Sequence, residues 1–312
     1  MRVLFISSGN KKESVNPLIK AQGDSLEKIG CQINYFLITG SGFEGYLKQV
    51  PVLKKYLSEN NFDVIHAHYS YSGFAAALAG VNPLVVSLMG SDVNANSLQK
   101  FLIIPFYKLF WRKTIVKSQR MYEKLRLEKL NVIPNGVDTD KFKSVSREES
   151  MQVLNWEEGI HILFAANPNR QEKNFNLAKE SIEELKKILN RKINLHVLDN
   201  VPHKLVPYMM SACNVILLTS KWEGSPNVIK EAMSCNRPIV STDVGDVASV
   251  TKGVSGTYIS NGSVHDTSMK LLSAYEFSLK FWSTNGRERI FSLKIDSTTI
   301  AGQLSELYKS CI

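Results

Sequence analysis

The sequence has no long apolar run, few cysteines and no low-complexity tract, and each shortage excludes a class of protein. The first apolar run, residues 3–6, is shorter than the core of a signal peptide, so we expect a first β-strand in an unexported, cytoplasmic chain. The four cysteines have neither metal-binding nor disulfide spacing, which is typical of reduced thiols. Ten Pro and eighteen Gly in 312 residues argue against long disorder.

Length and charge indicate two domains and an anionic partner. A chain of 312 residues, 44% hydrophobic, is long enough for two buried cores. The net charge of +9 is uneven: residues 1–145 hold 19 basic and 11 acidic groups, and the remainder hold 19 and 18. Residues 100–129 alone hold nine basic and two acidic groups. This asymmetry favours contact with a membrane surface or another polyanion.

Short β-branched runs alternate with longer helical patterns along the whole chain. The apolar runs are nearly continuous, as in parallel strands that are buried on both faces. Predicted strands are residues 2–7, 33–38, 64–68, 84–88, 114–116, 132–134, 162–165, 194–198, 215–219, 238–241 and 256–259. Predicted helices include 17–29, 47–59, 177–189, 204–212 and 226–235. The repeated β-α order predicts a doubly wound α/β fold.

The pattern restarts near residue 160, after turn residues at 134–142 and a polar stretch at 144–150. We therefore expect a Rossmann-like domain over 1–150 and a second one over 151–296. A final helical pattern, 297–312, is expected to return to the first domain. Two such domains are expected to face each other across a cleft, which is the default active site.

The most informative segment begins at Ser220 and follows the strand predicted at 215–219. Ser225 suits the N-cap of a helix, and Pro226 suits its first position. A helix that begins there would aim its N–H groups and positive dipole end at a diphosphate. Glu223 and Glu231 could accept hydrogen bonds from sugar or ribose hydroxyls, although two surface glutamates at an ordinary helix start would have the same spacing.

Here the chain resembles glycosyltransferase family 4, retaining enzymes with the GT-B fold. Glu223, seven intervening residues, Glu231 and then Ala232-Met233 are similar to the signature of that family. Four further stretches resemble the family in the same order, namely 64–68, 132–138, Lys173-Asn174 and 238–246. The resemblance implies an enzyme that moves a sugar from a nucleotide-sugar donor of the UDP or GDP type to a glycan or lipid-linked acceptor in surface polysaccharide biosynthesis.

The resemblance also implies roles for residues on the donor side. Glu231 would hold the ribose, Glu223 would contact the donor sugar, and Lys173 with Arg170 would clamp the diphosphate and stabilise the leaving nucleotide. The family usually places its arginine five residues before the lysine, where this chain has Pro168, so Arg170 is a shifted substitute. Other expected donor contacts are Gly9, Asn200 near the base, Gly224, Ser225, Pro226, Asn227 and Val228.

On the acceptor side, His66 and His68 alternate along one predicted strand and therefore share a face. Packing under a helix is one reading, and His68, nearer the strand end, is the better catalytic candidate. Residues 85–92 resemble another family stretch, and we expect Gly90, Ser91 and Asp92 to line the cleft on the acceptor side. Met89 stands where many members have a histidine that contacts the donor sugar, so that role does not transfer.

The sequence contains one pattern that mimics a metal motif, and it leaves two alternative functions open. Asp138 and Asp140 have the spacing of a metal motif from a different glycosyltransferase fold, but they lie in a linker turn, so no metal or other cofactor is expected. Another GT-B enzyme, such as a sugar-nucleotide epimerase, and a basic membrane or nucleic-acid binding module remain alternatives. No nucleic-acid motif is present. Aromatic and basic residues at 100–129 favour a peripheral contact with the inner face of a membrane.

Overall fold

A computed structural model describes residues 1–9, 14–40, 42–94 and 97–312. They form two compact units, the first comprising Met1–Gly136 with Ser297–Ile312 and the second comprising Val137–Asp296. Each unit has its own sheet and its own buried core.

The described residues form eleven strands, one for every strand predicted from the sequence. They are β1 Arg2–Ser8, β2 Gln32–Ile38, β3 Val64–His68, β4 Leu84–Ser87, β5 Lys113–Val116, β6 Asn131–Val132, β7 Ile160–Phe164, β8 Ile193–Val197, β9 Val215–Leu218, β10 Ile239–Thr242 and β11 Thr257–Ser260. All sheet pairings are parallel, which confirms the doubly wound α/β prediction.

Helices separate most of the strands. They are α1 Pro17–Lys28, α2 Gly42–Lys48, α3 Val50–Glu59, α4 Ser70–Leu78, α5 Ser91–Asn94, α6 Ser97–Leu109, α7 Gln119–Leu125, α8 Arg147–Leu154, α9 Phe175–Leu189, α10 Val206–Ala212, α11 Asn227–Ser234, α12 Val247–Val250, α13 Val264–Phe281, α14 Gly286–Ser292 and α15 Ser297–Lys309. Within the described ranges, none combines the length and the apolar character needed to cross a bilayer.

The first unit contains a six-stranded sheet in the order β2-β1-β3-β4-β5-β6. Successive residues of β1 face opposite sides: Leu4 and Ile6 join one apolar cluster, and Val3 and Phe5 join the other. This alternation explains why the strand reads as one continuous apolar run. Helix α15 packs on α1 and covers the second cluster, so the C-terminal residues are part of this unit.

The second unit contains a five-stranded sheet in the order β11-β10-β9-β7-β8. Its core also includes Val137 and Phe142, and the Val137 N–H donates to the Ile295 carbonyl at 3.1 Å. Ser146 then caps α8 through the backbone N–H of Glu149. The segment 137–150, placed with the first domain in the sequence analysis, is therefore packed within the second unit.

In both sheets the strand order reverses between the first and third strands of the unit, although all strands run parallel. In the first unit that point lies between β1 and β3, and in the second between β7 and β9. Ligands of open α/β sheets bind beyond the carboxyl ends of the strands at such a reversal. The strand order therefore predicts that functional residues lie in the loops after β7 and β9 and in those after β1 and β3.

Candidate functional site

The loops after β7 and β9 bring Lys173 and Glu223 together. The Nζ atom of Lys173 lies 2.5 Å from Oε1 of Glu223, and the Ser220 hydroxyl donates to the same oxygen at 2.6 Å. The lysine side chain is 12% exposed and the glutamate side chain 15%. A cation and a carboxylate therefore meet in a largely dehydrated position, where charge interactions are stronger than in water.

Backbone contacts hold the lysine against the end of β9. Thr219, the first residue after that strand, directs its hydroxyl to the carbonyl oxygens of Lys173 and Asn174, each 3.0 Å away. The Lys221 N–H donates to the Glu172 carbonyl at 2.8 Å. Because these bonds fix the main chain on both sides, the position of the lysine is set by the second sheet.

Helix α11 begins one residue later than the sequence predicts. Pro226 is the N-cap, and no side chain within the described residues caps the helix. The expected cap role of Ser225 is wrong, because its hydroxyl donates to Oδ2 of Asp246 at 2.6 Å. That bond ties the start of α11 to the loop after β10, and it leaves the first N–H groups of the helix without a side-chain acceptor.

A close backbone approach supports this helix start. Gly245 has φ +58°, and a Cβ atom at that position would lie 2.8 Å from the Gly224 carbonyl oxygen. Gly224, Ser225 and Pro226 are buried, whereas Asn227 and Val228 are half-buried. The Asn227 Oδ1 atom has no hydrogen-bond partner in the described part of the chain. The predicted donor contacts at 224–228 thus lie together, in the bend before α11 and in its first two residues.

Glu231 lies in the second turn of α11 and is half-buried. Burial raises the pKa of this carboxyl from 4.5 to about 7, and the positive charges of Lys141 and Lys230 oppose the rise. Lys141 also contacts Nδ1 of His203 through its ammonium group. Lys141, which contacts His203, therefore lies in the electrostatic surroundings of Glu231, a relationship that the sequence analysis missed.

Arg170 and Asn200 lie at the edges of this region. The guanidinium of Arg170 is exposed and pairs with Glu172, with Nε 2.6 Å from Oε1. The structure therefore does not bring it to the Lys173–Glu223 pair. Asn200 is exposed, with φ +52°, and its amide lies 3.3 Å from Asp199 in the loop after β8.

In the first unit, Gly9 follows β1 and the two histidines lie in the second half of β3, the two strands at the reversal point. Gly9 is buried, its N–H donates to the Ile38 carbonyl at 2.8 Å, and a Cβ atom there would lie 2.9 Å from Leu37 Cβ. His66 bonds Tyr308 at 2.6 Å and Ser87 at 2.8 Å, which gives it a packing role. At position 9, only glycine avoids a clash with Leu37 of β2.

His68 differs from His66 in its hydrogen bonding. It is 2% exposed, and neither ring nitrogen has a partner among the described residues. Burial lowers the pKa of His68 well below 6.5, and the nearby charge of Lys117 acts in the same direction. The ring is therefore neutral at pH 7 and can act as one donor and one acceptor.

Asp92 turns into the protein and organises the loop that contains Gly90 and Ser91. Its carboxylate is completely buried and accepts the N–H groups of Ser70, Met89, Gly90 and Val93 at 2.9–3.2 Å. Burial raises the pKa of Asp92 to about 6. Since these bonds occupy the carboxylate, it shapes the loop, while Ser91 is exposed and Gly90 has φ +106°.

Tyr69 is a candidate that sequence reasoning did not select. It follows β3 directly and has φ +86° and ψ 146°, a conformation that is strained for a residue with a side chain. Strain of this kind clusters at functional sites. Nothing in the local sequence signals it, because the strain results from the junction of β3 with α4.

Asp138 and Asp140, which have the spacing of a metal motif, form a turn. Oδ1 of Asp138 accepts the N–H groups of Asp140 at 3.1 Å and Lys141 at 3.0 Å. Across the described ranges, no group of three or more His, Cys, Asp or Glu residues is arranged to hold a metal ion. The Asp138 carboxylate thus stabilises the turn that contains Lys141.

Comparisons with protein families give two matches that together span most of the chain. The family described as Glycosyltransferase Family 4 matches residues 21–141. The family described as Glycosyl transferases group 1 matches residues 151–276. The second match contains Lys173, Glu223 and Glu231.

Two curated proteins are similar over a large part of the chain. TuaC of Bacillus subtilis, named as a teichuronic acid biosynthesis glycosyltransferase, is 29% identical in a 217-position alignment that covers 60% of this chain and 55% of TuaC. The chain therefore spans about half the length of that relative. The Escherichia coli UDP-Gal:alpha-D-GlcNAc-diphosphoundecaprenol alpha-1,3-galactosyltransferase is 24% identical in a 282-position alignment that covers 75% of this chain and 73% of that enzyme.

A solved structure agrees in fold over nearly the whole chain. The crystal structure of Anabaena HepE in complex with UDP and glucose has a TM-score of 0.78 and 18% identity, and the match covers 99% of this chain and 100% of HepE. At that identity the likeness concerns the fold.

Proposed function

This chain is a glycosyltransferase that belongs to family 4 and has the GT-B fold, and from that premise we propose that it transfers a sugar with retention from a nucleotide-sugar donor. The observation that carries the proposal is the 2.5 Å pair of Lys173 and Glu223 at the reversal point of the second sheet. The same region holds the uncapped start of α11 and the half-buried Glu231, whose carboxyl has a raised pKa.

The donor diphosphate binds between Lys173 and the first turn of α11. Lys173 supplies a positive charge, and the N–H groups of the helix start supply hydrogen-bond donors and the positive end of a dipole. Together they neutralise charge that grows on the departing phosphate, so the reaction requires no bound metal. Preorganised charge of this kind is typically the largest single contribution to such a reaction.

The carboxylates fix the two ends of the donor. Glu231 accepts hydrogen bonds from the ribose hydroxyls, and Glu223 contacts hydroxyls of the transferred sugar. Glu223 also positions Lys173, because the two side chains are paired. The pair thereby holds the lysine where the sugar is bonded to the phosphate. The base is of the uridine or guanosine type and lies near Asn200 and His203.

The transfer step follows from this placement. The acceptor hydroxyl attacks the anomeric carbon while the bond from that carbon to the phosphate oxygen breaks. The departing phosphate takes the proton of the attacking hydroxyl, so attack and departure occur on the same side of the sugar. His68, Gly9, Gly90 and Ser91 are proposed to lie near the donor and acceptor.

The acceptor is a glycan or a lipid-linked sugar of a surface polysaccharide. The names of TuaC and of the E. coli galactosyltransferase support this class, since the first concerns teichuronic acid and the second a diphosphoundecaprenol-linked sugar. We propose accordingly that the enzyme works in the cytoplasm, peripherally on the inner membrane face, where it would meet a lipid-linked acceptor.

A thermal-shift screen followed by kinetics tests the donor assignment. UDP or GDP, and one of their sugar conjugates, should raise the melting temperature of the wild-type chain. Lys173→Ala should reduce that shift, whereas Lys187→Ala, an exposed lysine on α9, should leave it unchanged. Equal shifts in both variants would remove Lys173 from the donor site.

A further inference from the structure

A groove of about 690 Å³ lies in the first unit, between the end of α6, the start of β5 and the loop that joins α7 to β6. Five basic side chains and one acidic side chain line it, namely Lys108, Arg112, Lys113, Arg126, Lys129 and Glu128. None of the five cations forms an ion pair within the described residues. The groove therefore carries positive charge that the protein itself does not neutralise.

Two buried donors also line the groove. Trp111 is 6% exposed and Thr114 is 1% exposed, and both are among its lining residues. The indole N–H and the threonine hydroxyl have no hydrogen-bond partner in the part of the chain that the structure describes. Buried polar groups normally have a hydrogen-bond partner, whereas two of the residues that line the groove each carry a donor that is unpaired within the described chain.

Exposed apolar side chains lie on α6 and on the residue after it, between the groove-lining residues Lys108 and Trp111 in the sequence and at Ile104. Leu109 is 73% exposed, Phe110 47% and Ile104 42%, and Ile104 also lines the groove. Phe101, further back on α6, is 71% exposed. Basic groups beside exposed Leu and Phe are the composition of surfaces that enter the headgroup region of a bilayer. A nucleic acid or a soluble phosphate would not require the apolar border.

The fold buries Lys117 of the basic run at 100–129 and places other basic residues of that run at the surface of the first unit. Lys117 is 2% exposed and donates to the Ser87 hydroxyl at 3.2 Å, so it does not contribute to an outer surface. Lys113, in contrast, begins β5, at the amino edge of the sheet. Gly9 and His68 lie at the carboxyl ends of their strands, so the groove is distinct from the predicted transfer residues of this unit.

We propose that this groove binds the phosphate of an anionic phospholipid headgroup, while Ile104, Leu109 and Phe110 enter the adjoining interfacial layer. The cations supply attraction to the phosphate, and the tryptophan and threonine supply hydrogen-bond donors. This binding goes beyond sugar transfer and needs neither donor nor turnover. It would hold the first unit at a membrane surface.

Sedimentation with vesicles tests the groove. The probes are phosphatidylcholine vesicles and phosphatidylcholine vesicles that contain phosphatidylglycerol. The groove variant is Arg112→Gln with Lys113→Gln and Lys129→Gln. The matched control, with the same change in net charge and in the same unit, is Lys28→Gln with Lys54→Gln and Lys55→Gln, all exposed lysines.

The wild type should bind only the vesicles that contain phosphatidylglycerol. The groove variant should bind them at least about tenfold more weakly, and the control within about twofold of wild type. Failure of the wild type to bind, unchanged binding of the groove variant, or equal losses in the two triple variants would overturn the proposal.

A second variant separates a bilayer from a nucleic acid. Leu109→Ser with Phe110→Ser changes exposed side chains and keeps all five cations, and it should weaken vesicle binding by several-fold. Unchanged vesicle binding together with tight, groove-dependent binding of random DNA would overturn the proposal in favour of a nucleic-acid surface. Nucleotide-induced thermal shifts of the same variants report the donor site separately, so either proposal can fail alone.

Discussion

Lys173 and Glu223 are 50 positions apart in the sequence, and their side chains meet at 2.5 Å. The contact exists because β7 and β9 are neighbours in the second sheet, so the loops that follow them share one edge. Under the proposed function, a donor diphosphate that binds Lys173 shares it with Glu223. The pair would then couple recognition of the sugar to stabilisation of the leaving group.

Removal of the lysine should affect turnover more than stability. We expect Lys173→Ala to lower kcat by about 100-fold or more, because the growing charge on the departing phosphate loses its counter-charge. Initial-rate kinetics with the donor found by thermal shift measure this. Lys187→Ala is the matched control, and a kcat equal to wild type in Lys173→Ala would contradict the assigned role.

The two glutamates should have separable effects. Glu231→Ala should weaken nucleotide binding by roughly tenfold, since two ribose hydrogen bonds are lost. Glu223→Gln should lower kcat by more than it lowers nucleotide affinity, because its contacts are to the transferred sugar and to Lys173. Calorimetry with the free nucleotide and steady-state kinetics distinguish the two; identical effects in both assays would argue against this division.

Nucleotide affinity should depend on pH through Glu231. Its pKa is raised by burial to about 7, and the ionised carboxylate is the better acceptor for ribose hydroxyls. Affinity should therefore increase as pH rises through 7, by up to roughly tenfold per unit below that value. Titrations of wild type and Glu231→Gln across this range measure it, and an unchanged pH profile in the variant would exclude Glu231 as the source.

Stability should change with pH in the opposite sense. The folded-state pKa of Glu231 lies above its ordinary value of 4.5, so the folded chain retains a proton that the unfolded chain releases. This contribution to stability is complete below about pH 4.5 and is lost as pH rises through 7. Melting temperatures should fall less steeply over that interval in Glu231→Gln than in wild type.

Asp92 should matter for folding of the loop that holds Gly90 and Ser91. Asp92→Ala leaves four buried backbone N–H groups without their acceptor, and we expect a loss of roughly 1–3 kcal/mol in the free energy of unfolding. Denaturant titration measures it. Ser91→Ala, at an exposed neighbouring position, should change stability by less than about 0.5 kcal/mol.

Much of the fold and part of the candidate site could be predicted from local sequence. Continuous β-branched runs predict the strands, because burial on both faces requires them to be apolar throughout. The turn residues at 224–226 predict a helix after β9, and α11 begins directly after them, at Asn227. The start was misplaced by one residue because the preference of Ser225 for a cap gave way to a bond with Asp246, 21 positions away.

The sequence by itself determined the strands and helices, the double-glutamate helix and the excess of positive charge at 100–129. Only the tertiary structure decided that Glu223 meets Lys173, that Lys141 contacts His203, that Lys117 is buried, and that Asp92 faces inward. The reason is physical. Local propensity depends on residues a few positions apart, whereas these contacts depend on strand order and packing between segments distant in the chain, which hydrophobic periodicity does not encode.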